Sequence, residues 1–96
     1  MSGIKENSGK LFYELDWEFI EMMAKRMSEN KGDKYPRFNW KNKIELEELN
    51  QALIRHFIEV QKQNYKDNDD EYGHLTALAC NAMMMIYQLK TFKHED

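Results

Sequence analysis

With 96 residues, 42% of them hydrophobic and 32% charged, the chain has the balance of one small soluble domain. Its net charge of −3 excludes the basic surplus of a protein that grips long nucleic acid, and its single cysteine, Cys80, excludes an internal disulfide and points to a reducing compartment. The opening "MSGIKENSGKLFYEL" has no apolar core of signal-peptide length, and the most hydrophobic run, "LTALACNAMMMIYQL", is too short for a bilayer span of roughly 20 residues. A cytoplasmic protein with no membrane partner is expected.

The elements read as all-α: a small bundle of three main helices in one domain, residues 1–96. Residues 1–14 form an arm or extended lead-in. The first helix spans 16–29, "DWEFIEMMAKRMSE", because Trp17, Ile20, Met23, Ala24 and Met27 recur at helical spacing behind Asp16, an N-cap residue. Gly32 and Pro36 in "NKGDKYPRFNW" stop it. The second helix is expected to start at Asn42, with Glu45 completing a capping box. Its apolar line is Leu46, Leu49, Leu53, His56, Phe57 and Val60, and it fades into the polar loop "QKQNYKDNDDE". The third, from about Tyr72 to about Phe92, is apolar almost all round, which implies burial on several sides or against a second copy in a homo-oligomer.

Several groups of residues have the chemistry of a site. His74, Asn81 and Gln88 recur every seven residues and form one polar stripe on the third helix. Such a stripe is either a satisfied hydrogen-bond network between helices or a ligand-facing wall, because an unpartnered buried polar group costs about 1–3 kcal/mol. His56 interrupts the apolar seam of the second helix and is expected to face His74 and Asn81. Arg55 beside it can pair with Glu59, four residues on. The loop "KYPRFNW" combines Lys34 and Arg37, suited to phosphate, with Tyr35, Phe38 and Trp40, suited to base stacking or to closing the core. Lys10 in "NSGK" is a further phosphate contact, although that segment lacks the full glycine-rich pattern of a P-loop. The spaced acids Glu45/Glu48 and Asp67/Asp70 have the separation of a Mg²⁺ pair, but Glu45 to Glu48 equally suit a solvated helix start.

Taken in order, "NSGKLFYEL", "KYPRFNW", "ALIRHFIEV", "YGH" and "CNAMMM" resemble the phage-associated dATP/dGTP diphosphohydrolase N-terminal family, grouped with MazG-like all-α nucleotide pyrophosphohydrolases. The resemblance runs from about Asn7 to Leu89. Gly9 and Lys10 match the family's lead, Arg37, Asn39 and Trp40 its turn, and Arg55 and His56 its helix pair. Asp67 matches the second acid of a Glu-x-x-Asp segment, and His74 and Asn81 match the last helix. Asn64 stands where the first acid is expected and Ala77 where a second histidine is expected.

The resemblance implies a nucleotide-phosphate ligand and two alternatives. In the first, the chain cleaves a purine deoxynucleoside triphosphate to monophosphate and pyrophosphate. Glu59 and Asp67 then hold Mg²⁺ or Mn²⁺, His56 acts as base or ligand, and Lys10, Arg37, Asn39, Trp40, Arg55, His74 and Asn81 bind substrate. In the second, a phage protein in the host cytoplasm keeps the pocket without the chemistry and without a metal, and sequesters a cyclic or modified nucleotide signal of host immunity. A purely structural helical module, its polar stripe serving register, is the third possibility.

Overall fold

Three α-helices and two 3-10 stretches carry the chain in the computed structural model, which describes residues 8–29 and 39–94. The helices are α1 (Trp17–Ser28), α2 (Leu46–Gln61) and α3 (Gly73–Thr91), and no strand occurs among the described residues. The protein is thus a small all-α bundle, as the hydrophobic periodicity requires. No helix among the described residues is long and apolar enough to cross a membrane.

Asp16 caps α1 as expected, its carboxylate accepting a hydrogen bond from the Glu18 N–H at 3.3 Å, while Lys25 and Arg26 lie in the last turn, where cations oppose the helix dipole. The expected stop signals Gly32 and Pro36 lie outside the described residues. Ahead of α1, Ser8–Glu14 winds into a 3-10 helix, and the rest of the expected lead-in, residues 1–7, lies outside the described residues.

The capping box at the start of α2 does not form. Glu45 is the N-cap, without a side-chain cap bond, and the helix begins at Leu46. Asn42 is instead part of a segment drawn onto α3 by Gln88. The Gln88 amide donates to the carbonyls of Trp40 (3.2 Å) and Asn42 (2.7 Å), and its Oε1 accepts from the Ile44 N–H at 2.9 Å. Three bonds to one fully buried side chain outweigh a single capping interaction.

α3 is the central element, packed against α2, α1 and the short 3-10 turn Asn39–Lys41. Its buried residues Gly73, Thr76, Ala77, Cys80, Asn81, Met84 and Gln88 follow helical spacing along one face. Ile44, Leu49, Cys80 and Met84 form the core, with Met23, Met27 and Trp40 packed against it. Trp40 meets Tyr87 edge-to-face with ring centroids 5.1 Å apart, in an aromatic closure of the core.

The expected apolar lines are buried only in part. Met23 and Met27 of α1 reach the core, whereas Trp17 and Ile20 are exposed, because α1 contacts α3 and not α2. On α2, Leu49 is buried but Phe57 is half-exposed. On α3, Ile86 and Leu89 retain 57% and 59% of their surface, so the all-round apolar helix leaves one face uncovered in the single chain.

Candidate functional site

The polar loop after α2 is built, not slack. Gln63 and Asn68 adopt left-handed backbone (φ 63° and 58°), which lets the chain reverse twice in a few residues. Between them, Asn64 donates its backbone N–H to the Glu59 carbonyl at 2.9 Å and its amide to the Glu59 carboxylate at 2.7 Å. Asp67 and Asp70 then exchange backbone hydrogen bonds of 3.0 and 3.2 Å, and the His74 N–H donates to the Tyr65 carbonyl at 3.0 Å. Gly73 opens α3 where a Cβ would stand 2.6 Å from both the Cβ and the carbonyl oxygen of Asp67. Only glycine lets Asp67 lie this close to the helix start.

That approach assembles a compact group. His56 of α2 and His74 of α3 meet Nδ1 to Nδ1 at 2.8 Å, so one ring donates its Nδ1–H to the lone pair of the other. One donor atom each from His56, His74 and Asp67 lies within 4.8 Å of the other two. Arg26 of α1 closes the group, its Nη2 donating to Asp67 Oδ2 at 2.9 Å. His56 therefore does face His74 across the bundle.

The electrostatics follow from this arrangement. Burial pushes the His56 pKa below its ordinary value, and the charges of Arg26 and His74 push the same way, against the attraction of Asp67. Burial alone would raise the Asp67 carboxyl, but the hydrogen bond and charge of Arg26, aided by His74 and His56, bring it below the ordinary carboxylate range. Neutral imidazole and ionised carboxylate are thus the favoured forms. The Cys80 thiol is pushed up, chiefly by burial, and stays protonated.

A cleft of about 1040 Å³ opens beside the group. Lys25 and Arg26 of α1 line one wall, Asp67 to Glu71 of the loop another, and Asn81 of α3 its base. Asn81 is 6% exposed, and its amide nitrogen has no hydrogen-bond partner among the described residues. The three members of the polar stripe thus divide: Gln88 is structural, His74 pairs with His56, and Asn81 is left with an unspent donor.

Other expected site residues lie elsewhere. Trp40 packs on Tyr87, and Asn39 is exposed one residue before it. Tyr87 follows His74 by 13 positions on α3, which places the Trp40–Tyr87 contact roughly 20 Å along the helix from His74. Arg55 is exposed and lines a separate recess with Glu45, Glu47, Glu48 and Gln51. Glu59 turns to Asn64 and to Lys62 (3.7 Å) instead of to Arg55, and the Asn64 bond, first among the causes, keeps its pKa low. Arg37 and the Lys10 side chain lie outside what the structure describes.

Arg26, the cation that holds Asp67, was invisible in the sequence, where it reads as an ordinary base in the last turn of a helix. Its partner is 41 residues away. The "YGH" segment was a usable signal, since a glycine at a helix start, next to a histidine, marks a close backbone approach.

The Mg²⁺ that the family resemblance implies does not suit this donor set. Mg²⁺ takes oxygen ligands in near-octahedral geometry, whereas the group offers two imidazole nitrogens and one carboxylate. Glu59 is not among its donors, and Glu45 and Glu48 line the other recess.

Comparison with known proteins identifies a family. The profile of the family described as "dATP/dGTP diphosphohydrolase, N-terminal" matches residues 2–96. A dATP/dGTP diphosphohydrolase of Salmonella phage PMBT28 is 38% identical over 91 residues, which cover 93% of this chain and 30% of that protein. The chain therefore spans under a third of that relative's length. No solved structure matches it.

Proposed function

Because this chain belongs to the dATP/dGTP diphosphohydrolase N-terminal family, we propose that it binds the phosphate part of a nucleotide in the cleft between α1, α3 and the 62–72 loop, and holds the nucleotide intact. The observation that carries this reading is the Asn81 amide, buried on the cleft with an unspent N–H donor. An orphaned donor costs about 1–3 kcal/mol, a cost that a ligand oxygen would relieve. Arg26 spends one nitrogen on Asp67 and has other N–H groups left for phosphate, and Lys25 stands beside it on the same wall.

Holding is favoured over cleaving because, among the described residues, Asp67 is the one carboxylate that joins the histidine group. Sequestration of a cyclic or modified nucleotide signal is the form of holding proposed. Cleavage of a purine deoxynucleoside triphosphate is the second reading, favoured by the name of the phage relative. That protein is more than three times as long as this chain's match, so its chemistry can reside in the remainder.

The test is to incubate the protein with deoxynucleoside triphosphates and cyclic nucleotides in the presence of Mg²⁺ or Mn²⁺. The mixture is then heat-denatured and the supernatant chromatographed. A nucleotide that leaves solution and returns intact after heating is the expected result. Monophosphate and pyrophosphate would replace holding with cleavage, and no depletion of any nucleotide would overturn both readings.

A further inference from the structure

We propose that His56, His74 and Asp67 form a binding site for a divalent transition ion of the zinc or cobalt class, with Arg26 as positioning residue for the carboxylate. The spacing of the donors is the first reason. Two metal–nitrogen bonds of about 2.0–2.1 Å at the tetrahedral angle set their nitrogens roughly 3.3 Å apart, so the two Nδ1 atoms, at 2.8 Å, need to part by only about half an ångström when an ion takes the place of the proton between them. The Asp67 oxygen completes a set within 4.8 Å, so a single ion can replace the shared proton and touch all three.

The donor types are the second reason. Two imidazoles and one carboxylate on one side of an ion, with positions left open, suit a borderline transition ion rather than a hard oxygen-seeking one. Asp67 has two oxygens, and Arg26 takes Oδ2. A carboxylate held by a hydrogen bond on one oxygen while the other faces the ion is the usual support of a metal site. His56 and Asp67 both line the cleft, so the open positions are accessible to water or a ligand oxygen. Gly73 and the paired Asp67–Asp70 backbone hold the carboxylate ligand in place without needing the ion.

The experiment is calorimetric titration of tag-free, chelator-stripped protein with Zn²⁺, Co²⁺ or Mg²⁺ alone, the Co²⁺ complex also being read by its visible absorption. One Zn²⁺ or Co²⁺ per chain is expected, with affinity exceeding that for Mg²⁺ by on the order of a thousandfold. His56→Ala, His74→Gln and Asp67→Asn should each weaken Zn²⁺ by more than about 100-fold, and Arg26→Gln by about 10- to 100-fold. His94→Gln and Cys80→Ser, which change the only other histidine and the only cysteine, should leave it unchanged. Circular dichroism establishes that each variant is folded, and Asp67→Asn, which preserves side-chain shape, decides if a histidine variant is not. Absence of Zn²⁺ binding, equal Mg²⁺ affinity, or unchanged Zn²⁺ affinity in folded Asp67→Asn would overturn the proposal. The metal is the only probe, so the outcome is independent of whether a nucleotide is retained.

Discussion

Replacing Gln88 by alanine should unfasten the segment that leads into α2. The side chain is fully buried and makes three hydrogen bonds, accepting from the Ile44 N–H and donating to the carbonyls of Asn42 and Trp40. Ile44 is 6% exposed and belongs to the core, so its N–H would lose its acceptor without gaining water. That orphaned donor costs about 1–3 kcal/mol, and each lost carbonyl bond about 0.5–1.5 kcal/mol. A central expectation is a loss of about 4 kcal/mol, a large share of the roughly 5–14 kcal/mol typical of a chain this long. Urea titration followed by far-UV circular dichroism measures it. Hydrogen exchange locates it, since the Ile44 amide should turn from slow to fast. Gln88→Glu should also destabilise, because a carboxylate can accept from Ile44 but cannot donate to the two carbonyls. A loss below about 1 kcal/mol in Gln88→Ala, or an Ile44 amide that stays protected, would refute the reasoning.

Gly73→Ala, ordinarily favourable inside a helix, should here cost about 1–3 kcal/mol because the new Cβ meets Asp67 backbone at 2.6 Å; a stabilised variant in urea would show that the loop yields freely. Asn81→Leu removes a buried donor without a partner among the described residues, so stability should hold or rise by about 1 kcal/mol while nucleotide retention falls; a loss of more than about 2 kcal/mol would reveal a protein partner. In chelator-treated protein the urea midpoint should decline with acidification in two stages. His56 titrates lower when folded, so the unfolded chain takes up its proton first, and stability is lost as pH falls below the ordinary value of 6.5. Asp67 is also lowered, so its contribution is present above 3.8 and disappears as pH falls through its folded value. Arg26, His74, Asp67 and Arg55 are the charges acting on His56, and a midpoint flat from pH 7 to about 5 would count against its desolvation. The apolar surface left on Phe57, Ile86 and Leu89 leads us to expect a homo-oligomer in sedimentation, and a monomer would remove that expectation.

Periodicity was enough to place three helices from one sequence, and a cap residue the start of the first, because both signals are local. Asp16 stands directly before an apolar repeat, and α3 announces itself through a long run free of proline. The start of α2 was misplaced because the competing partner of the segment, Gln88, is 44 residues from Ile44. The same limit governs the site. Histidines on facing helices could be anticipated from the apolar seam of α2 and the stripe on α3, and His56 does meet His74. Trp40, by contrast, was equally compatible with stacking on a base or closing a core, and its contact with Tyr87 arises from the docking of the turn on α3.

What the sequence determined by itself was helix content, the approximate length of each helix and a polar stripe that demanded partners, since all of these depend on neighbours within one or two turns. Tertiary structure alone decided which stripe residue was spent on structure and which faced a cleft. It also decided that Arg26 would hold Asp67. A helix period places a residue on a face, but the rotation and depth of docking, set by side chains such as Gln88 and by the missing Cβ of Gly73, determine what that face meets.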